Sequence, residues 1–265
     1  MKALLLAFGL CISANAQING TIVVMELTKD GLFVAADSRA TFQQAPPEDN
    51  HCKIATIGPD AIFTATGASA YPAVPDDKVK PWSVVSEAKR AASTIRKRHI
   101  HDIRIAVVEI ANIWTKRMEN NWNAIKLAHP EKVKEAEERG KGMLSNGFFA
   151  IGRNGNLVAV ARSIKSSNSV ISSEVLPIDK MCPINVPCAS GETDIFTEFG
   201  KRTSERAKAE RLPDSPKLKV IRLVELTIAY DKTHNTGGPI DAVQLTPQGK
   251  IVWFQRKPSC PDNKQ

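Results

Sequence analysis

Apolar runs separated by turn signals follow the first twenty residues of the chain. A β-branched run from Thr21 to Leu27 and an apolar run from Leu32 to Ala36 are joined by a Lys-Asp-Gly turn. Two further runs, Cys52 to Ile57 and Ala61 to Thr66, flank a Gly-Pro-Asp turn. Because β-branched and apolar residues favour strands and such turns favour tight reversals, the pattern predicts two β-hairpins.

The apolar residues that come next recur every three or four positions, which is the period of a helix. Ser83 is placed to cap the first of these helices, and the second begins from Asp102. The apolar face of the first helix carries Val84, Val85, Ala88, Ala91, Ala92 and Ile95. That of the second carries Ala106, Val107, Ile110, Ile113, Trp114 and Met118. The charged stretch from Pro130 to Gly142 is interpreted as a solvated helix end or loop.

Strands and helices alternate again in the second half of the chain. The predicted strands run from Gly147 to Ile151, Leu157 to Ala161, Ile240 to Leu245 and Lys250 to Gln255. The predicted helices run from Thr193 to Arg211 and from about Lys217 to Tyr230. This order is compatible with an α+β fold, a four-layer αββα sandwich in which helices cover the outer faces of two stacked, mostly antiparallel sheets.

Composition narrows the class of protein without identifying it. The 265 residues suffice for one large domain or two small ones with a sizeable core. Hydrophobic residues at 42% and charged residues at 24% exclude a disordered or fibrous chain. The net charge of +8 allows acidic partners without requiring them. No nucleic-acid partner is expected, because no basic stretch is rich in aromatic residues.

The first sixteen residues are typical of a secretory signal peptide. Met1-Lys2 supplies one positive charge, Ala3 to Ile12 is apolar, and Ser13-Ala14-Asn15-Ala16 contains an Ala-x-Ala site. The pattern predicts a cut after Ala16 and a secreted or periplasmic protein. No later apolar stretch is long enough to span a bilayer, so no membrane association is expected after the cut. The alternative is an apolar first strand of a cytosolic protein.

The number of cysteines outside the predicted leader is consistent with export. Cys11 lies in the predicted leader, which leaves Cys52, Cys182, Cys188 and Cys260, an even number that suits an oxidising compartment. The short stretch between Cys182 and Cys188 favours a local disulfide, which would leave Cys52 for Cys260. Four cysteines allow three pairings, however, and free or buried thiols are the alternative. The absence of a C-x-x-C pair argues against a structural zinc site.

Four residues of catalytic type follow one another at short intervals. Asp37 lies 16 residues after Thr21, and Lys53 lies 16 residues after Asp37. Gly67 follows Lys53 by 14 residues. In these spacings, and in the stretches GTIVVMELTKDGLFVAADSRAT, KIATIG and FTATGASA, the chain resembles the catalytic β-subunits of the proteasome. These are N-terminal-nucleophile (Ntn) hydrolases that use an N-terminal threonine, and the resemblance extends from about Gly20 to Phe254.

The resemblance implies a reaction that the hydroxyl of Thr21 begins. A threonine hydroxyl needs an adjacent base, and a cut between Gly20 and Thr21 would supply the new α-amino group, whose ordinary pKa is about 7.7–8. Lys53 would keep that amine neutral by like-charge repulsion, and Asp37 would pair with Lys53. The backbone N–H of Gly67 would donate to the oxyanion of the tetrahedral intermediate.

Later turns complete the site by resemblance. Ala189-Ser190-Gly191 and Thr236-Gly237-Gly238 look like the family's Gly-Ser-Gly and Ser-Gly-Gly turns. Ser190 would therefore bind the terminal amine, whereas Arg39 and Thr236 would support the site rather than react. The family's aspartate near the last turn falls on Thr233 here, so Asp231 would have to substitute for it through a shift of the loop.

The substrate pocket is also outlined by the resemblance. Four residues would surround the side chain before the cleaved bond: Ala40, His51, Ala65 and Ser69. Because Ala40 and Ala65 are small, the pocket would be roomy. We therefore expect a preference for large apolar side chains.

These features divide the chain into a signal peptide at 1–16, a propeptide at 17–20, an Ntn hydrolase domain at 21–256 and a C-terminal tail at 257–265. The protein is interpreted as an exported threonine peptidase that cleaves peptide or protein substrates through an acyl-threonine intermediate. No metal or organic cofactor is implied, because Thr21 supplies both nucleophile and base. A monomer or a small homo-oligomer is expected.

Two alternatives remain open. An Ntn amidase or acylase that acts on a small-molecule amide would use the same chemistry with a different pocket. A non-catalytic binding or assembly protein that keeps the fold is favoured by the missing aspartate before Thr236.

The order of cuts yields the first testable prediction. One cut is expected after Ala16 by signal peptidase and one after Gly20 by the protein itself, since glycine permits the bent backbone that self-cleavage needs. The mature chain would comprise residues 21–265, which is 245 residues. N-terminal sequencing should find Thr21 first in the wild type and residues 17–20 retained in Thr21→Ala. A secreted, active protein that begins at Gln17 would contradict the mechanism.

Overall fold

The computed structural model describes residues 21–40, 48–49, 51–73, 76–176, 178–258 and 260. The predicted signal peptide, the propeptide with its processing residue Gly20, and the end of the predicted tail at 261–265 lie outside the described residues. Within the described ranges, no helix has the length and apolar character needed to cross a membrane.

The described residues form strands β1 to β12 and helices α1 to α7. The strands are β1 (Ile22–Thr28), β2 (Gly31–Ala36), β3 (Ile54–Gly58), β4 (Ala61–Gly67), β5 (Ala70–Tyr71), β6 (Trp82–Ser83), β7 (Met143–Arg153), β8 (Asn156–Ser167), β9 (Val170–Leu176), β10 (Cys188–Gly191), β11 (Asp241–Leu245) and β12 (Ile251–Gln255). The helices are α1 (Val84–Lys97), α2 (Ile103–Ala128), α3 (Pro130–Arg139), α4 (Ile178–Met181), α5 (Asp194–Lys201), α6 (Glu205–Ala209) and α7 (Pro216–Tyr230).

Two five-stranded antiparallel sheets lie at the centre. The strand order is β10-β1-β2-β11-β12 in the first sheet and β3-β4-β7-β8-β9 in the second. Each of the two predicted N-terminal hairpins, β1–β2 and β3–β4, is confirmed and contributes to a different sheet. The protein is therefore of the α+β class, as the pattern of elements predicts.

Buried apolar side chains form three clusters that follow the alternation of side chains along the strands. Val23 of β1 belongs to the cluster between the two sheets, whereas its neighbour Val24 belongs to the cluster that packs against α5 and α7. On the second sheet, Phe63 of β4 packs against Trp114 of α2, with ring centroids 5.8 Å apart. Each sheet thus has one apolar face toward the other sheet and one toward helices.

Local hydrogen bonds explain where the first two long helices begin. The hydroxyl of Ser83 accepts the N–H of Ser86 at 3.0 Å, and the hydroxyl of Ser86 accepts the N–H of Ser83 at 3.2 Å. The carboxylate of Asp102 accepts the N–H of Arg104 at 2.8 Å. These bonds satisfy N–H groups that the first turn of a helix leaves without partners, so both predicted starts are confirmed.

The predicted helix from Thr193 to Arg211 is wrong, because α5 and α6 occupy that stretch. Arg202 adopts a left-handed φ of 53° that ends α5. The hydroxyl of Ser204 then accepts the N–H of Ala207 and begins α6. A serine that bonds the backbone in this way starts a new helix rather than continuing the old one.

Other stretches also differ from the prediction, among them the short elements β5, β6 and α4, which the pattern does not predict. The charged stretch interpreted as a solvated helix end or loop is largely helix α3, which buries Val133 and Ala136. Strand β9 was not predicted, because its serines and its exposed Val170 and Val175 give it no buried face of its own. Strand β10 was interpreted only as a turn because it is four residues long.

Two disulfides join the four cysteines outside the predicted leader. Cys182 pairs with Cys188 and Cys52 pairs with Cys260, with Cα–Cα distances of 5.0 and 5.7 Å. This is the pairing that the short Cys182–Cys188 spacing favours among the three possible ones. Two disulfides fit an extracellular environment, because reducing compartments keep thiols reduced.

Candidate active site

The candidate site lies where the two N-terminal hairpins open toward each other. Thr21 immediately precedes β1 and Asp37 immediately follows β2, while Lys53 precedes β3 and Gly67 ends β4. In an antiparallel hairpin the start of the first strand lies beside the end of the second. The hairpins therefore leave Thr21 and Asp37 at the open end of one and Lys53 and Gly67 at the open end of the other, and contacts between β1 and β4 bring the two open ends together.

The carboxylate of Asp37 is the centre of this cluster. Its Oδ1 accepts the Lys53 Nζ at 2.7 Å and the N–H of Ile22 at 3.0 Å. Its Oδ2 accepts the N–H of Gly237 at 3.0 Å and that of Arg39 at 3.3 Å. Both partners of the ion pair are buried, Asp37 completely. One carboxylate thus connects the residue after Thr21, the lysine and the turn at 236–238.

Burial disfavours charge on both members of this ion pair. It raises the pKa of Asp37 and lowers the pKa of Lys53, while the attraction between the two groups opposes both shifts.

Ser190 joins the cluster through strand β10. It pairs with Val23 of β1, and its Oγ lies 2.8 Å from Thr66 Oγ1. Asn146 of β7 donates its Nδ2 to Ser190 Oγ at 3.1 Å. Sequence reasoning missed Thr66 and Asn146, because their strands become neighbours only when the second sheet forms.

Two glycines allow the backbone to approach the site closely. Gly191 has a φ of 98°, and a Cβ there would overlap the carbonyl oxygen of Thr21. Gly67 has a φ of 83°, and a Cβ there would lie 2.6 Å from the carbonyl oxygen of Leu144. The N–H of Glu192 donates to the Thr21 carbonyl at 2.9 Å, so the turn after Ser190 lies directly against Thr21.

Asp231 reaches the turn at 236–238 from the end of α7. Its Oδ2 accepts the N–H of Thr236 at 2.7 Å and the Thr236 hydroxyl at 3.0 Å. Its Oδ1 accepts the N–H of Thr233 at 2.9 Å. Burial would raise the pKa of Asp231, but the hydrogen bonds from Thr233 and Thr236 outweigh it and lower the pKa. A carboxylate therefore stands beside Thr236, although it is two residues earlier in the chain than the resemblance implies.

Hydrogen bonds from Arg39 link the loops next to this cluster. Its guanidinium donates Nε and Nη2 to the two carboxylate oxygens of Asp49 at 2.7 and 2.8 Å. Nη1 donates to the carbonyl of His234 at 3.2 Å. Gly237 lies so close to this guanidinium that a Cβ would overlap it. These contacts connect three loops, which is the geometry expected of a supporting residue.

Thr21 lies between two cavities. The first, of about 220 Å³, is lined by Thr21 and Lys53 together with three of the predicted pocket residues, His51, Ala65 and Ser69. The start of α1 also contributes to its wall, which sequence reasoning missed. The fourth predicted residue, Ala40, is buried elsewhere and exchanges backbone hydrogen bonds with Glu48 at 2.7 and 2.9 Å.

The second cavity opens on the other side of Thr21. It has a volume of about 280 Å³, and Gly67 and Glu192 contribute to its lining. Burial, with Asp231 and Asp194 nearby, raises the pKa of Glu192. Thr21 therefore contributes to the walls of both cavities.

Metal ligands are not grouped in the parts of the chain that the structure describes. No three His, Cys, Asp or Glu side chains there are arranged to hold a metal ion. The prediction of a cofactor-free reaction thus rests on the chemistry of an N-terminal threonine alone.

Comparison with known proteins shows a distant structural similarity. No protein-family model matches the chain, and no curated protein matches it. Among solved structures, a Gly-1 mutant of Anbu from Hyphomicrobium sp. strain MC1 is similar, with 15% sequence identity and a TM-score of 0.45. The match covers 88% of this chain and 85% of that one. A match this distant carries no conclusion about activity.

The close approach of Gly191 to Thr21 can be tested by substitution. Gly191→Ala combines left-handed strain with overlap against the Thr21 carbonyl, so its free energy of unfolding should fall by about 3 kcal/mol or more. Gly155→Ala is the matched control, because Gly155 also has a positive φ but open space where a Cβ would lie. It should lose only about 1–2 kcal/mol. Equal losses in denaturant unfolding would show that Gly191 does not abut Thr21.

Proposed function

We propose that the chain is an exported Ntn hydrolase whose Thr21, freed by self-cleavage after Gly20, hydrolyses peptide bonds. The buried Lys53–Asp37 ion pair beside Thr21 is the observation that carries the proposal. Asp37 Oδ1 accepts both the Lys53 Nζ and the N–H that joins Thr21 to Ile22. In a solvent-exposed ion pair, the carboxylate oxygen would not be expected to accept a backbone N–H at the start of a strand as well.

The arrangement of the sheets supports the same proposal. Helices α1 and α2 pack on the sheet that contains β4, and α5 and α7 pack on the sheet that contains β1. We infer that these elements form the four-layer αββα sandwich of the Ntn hydrolases, with Thr21 at the edge between the two sheets. The two disulfides support export, in agreement with the predicted cut after Ala16.

In the proposed reaction, the α-amine of Thr21 removes the proton from the Thr21 hydroxyl as Oγ attacks the substrate carbonyl carbon. The carbonyl π electrons move to oxygen, and the N–H of Gly67 donates to the resulting oxyanion. The intermediate collapses, the C–N bond breaks, and the ammonium of Thr21 returns the proton to the leaving amine. Water, deprotonated by the same amine, then hydrolyses the acyl-threonine ester and restores the enzyme.

The neighbouring groups control the proton on the α-amine. Lys53 carries positive charge close to it and so favours its neutral, basic form. Asp37 holds Lys53 in place. Ser190, fixed by Thr66 and Asn146, would donate or accept a hydrogen bond at the amine, and Asp231 would act on the same network through Thr236.

The nucleophile can be tested directly with purified mature protein. Wild type should hydrolyse casein and should react once, at Thr21, with a threonine-directed electrophile such as a peptide epoxyketone. Thr21→Ala should lose both properties by more than about 1,000-fold while keeping the circular dichroism spectrum of the wild type. Hydrolysis that persists in Thr21→Ala would contradict the proposal. Turnover of acyl amides but not peptides would indicate the amidase, and an inert, folded wild type would indicate a binding protein.

The first cavity yields a prediction of specificity. Because Ala65 is small and lines the cavity beside Thr21, a fluorogenic peptide panel should show the fastest cleavage after large apolar side chains. Ala65→Leu would fill the cavity and should lower kcat/KM for those substrates by roughly 10- to 200-fold, with little effect on substrates that have alanine before the bond. Cleavage restricted to small or acidic side chains in the wild type would contradict this assignment.

A further inference from the structure

The residues just before β3, which include Lys53, are contacted by the C-terminal part of the chain as well as by the loop at Ser38, whose carbonyl accepts the N–H of His51 at 3.1 Å. Strand β3 begins at Ile54, so residues 51–53 precede the first paired position of that strand. Beyond the ion pair with Asp37, the hydroxyl of Thr64 binds the Lys53 carbonyl at 2.9 Å. The position of the Lys53 side chain therefore depends on what fixes a short non-strand segment.

Three residues that follow β12 contact this segment from outside the sheet. Arg256 donates its Nη1 to the carbonyl of Ile54 at 2.8 Å. Lys257 donates its Nζ to the carbonyl of His51. Cys260 forms the disulfide with Cys52. We call Arg256, Lys257 and Cys260 the C-terminal clamp; its contacts fall on both sides of Lys53, at positions 51, 52 and 54.

Lys257 is itself held by a second buried carboxylate. Asp241 Oδ2 lies 3.0 Å from Lys257 Nζ, and Asp241 Oδ1 accepts the N–H of Lys257 at 2.9 Å. The Asp241 side chain is fully buried, and only 4% of the Lys257 side chain is exposed. Asp241 pairs with Ala36 across β11 and β2, directly before Asp37. Two buried Lys–Asp pairs thus lie side by side.

The second pair has no part in the proposed reaction and is a poor source of stability. Taking two charges out of water costs about as much as their attraction returns, so apolar side chains would serve as well or better. What the pair does supply is geometry, because Lys257 reaches the His51 carbonyl from a fixed point on the first sheet.

The charge of Lys257 also acts on Lys53. Burial is the main cause that lowers the pKa of Lys53, Asp37 and Asp49 oppose it, and the ammonium of Lys257 lowers the pKa further. In the other direction, Asp241 and Asp37 oppose the lowering of the Lys257 pKa by burial. The charges of the two lysines are therefore coupled to each other and to Asp37.

We propose that Lys257, held by Asp241 and by the Cys52–Cys260 disulfide, is a positioning residue that fixes the Lys53 ammonium beside Thr21. The proposal rests on the proposed function, since it assigns the C-terminal clamp a role in the hydrolysis by Thr21. Residues 256–260 would then belong to the catalytic domain rather than to a dispensable tail.

The disulfide arm of the test compares two variants that each lose one disulfide. In Cys52→Ser/Cys260→Ser, kcat for a fluorogenic peptide should fall by roughly 10- to 100-fold, because Lys53 is displaced. Cys182→Ser/Cys188→Ser is the matched control and should retain kcat. An unchanged kcat in the first variant, or the same fall in both, would overturn the proposal.

The lysine arm avoids leaving a charge unpaired in the interior. Lys257→Met alone would strand the Asp241 carboxylate and could prevent folding. Lys257→Met/Asp241→Asn removes both charges and should fold with a similarly lowered kcat. Lys257→Arg keeps the charge and a donor for the His51 carbonyl, so it should restore most of the lost kcat. A wild-type kcat in Lys257→Met/Asp241→Asn would contradict the proposal. A kcat in Lys257→Arg as low as that of Lys257→Met/Asp241→Asn would contradict it as well.

A structural readout separates failure of this proposal from failure of the proposed function. Hydrogen–deuterium exchange of the backbone amides at 51–54 should quicken in Cys52→Ser/Cys260→Ser and stay unchanged in Cys182→Ser/Cys188→Ser. If the wild type neither cleaves peptides nor reacts with an epoxyketone, the proposed function has failed, and exchange alone decides whether the clamp holds this segment. Unchanged exchange would show that it does not.

Discussion

The burial of the Asp37 carboxylate against the Lys53 ammonium is the constraint on which the candidate site depends. A carboxylate inside a protein is tolerated only when its oxygens are satisfied, and here four donors from separate parts of the chain satisfy them. Removing Lys53 alone would leave that charge uncompensated, at a cost of about 3–5 kcal/mol. The same four bonds that make the ion pair tolerable bring the start of β1, the start of β3 and the turn at 236–238 to one point.

Much of this arrangement follows from local sequence. Each hairpin is specified by a turn between two apolar runs, and antiparallel pairing alone places Thr21 and Asp37 at the open end of one hairpin and Lys53 and Gly67 at the open end of the other. The distances between the four residues along the chain are therefore a consequence of strand and turn lengths. The starts of α1 and α2 can also be predicted from local sequence, because the side chains of Ser83 and Asp102 accept N–H groups of the helical turn that follows each of them.

Features that depend on contacts between distant parts of the chain cannot be predicted from local sequence. Thr66 and Asn146 meet Ser190 only because β4 and β7 are neighbours in one sheet and β10 lies in the other. Ala40 is assigned to the pocket by resemblance alone, whereas in the structure its backbone bonds to Glu48 and it does not line the first cavity. The predicted tail contains a buried lysine, and nothing in the local pattern indicates that Lys257 will meet Asp241.

The proposed function predicts that one particular covalent bond forms, at Thr21. A crystal structure of the mature protein with a peptide boronic acid, an analogue of the tetrahedral intermediate, should show a chain that begins at Thr21. The Thr21 Oγ should be bonded to boron, with a boronate oxygen within hydrogen-bond distance of the Gly67 N–H. An active protein in which the boronate is bonded to any other side chain, or in which the peptide bond between Gly20 and Thr21 is intact, would contradict it.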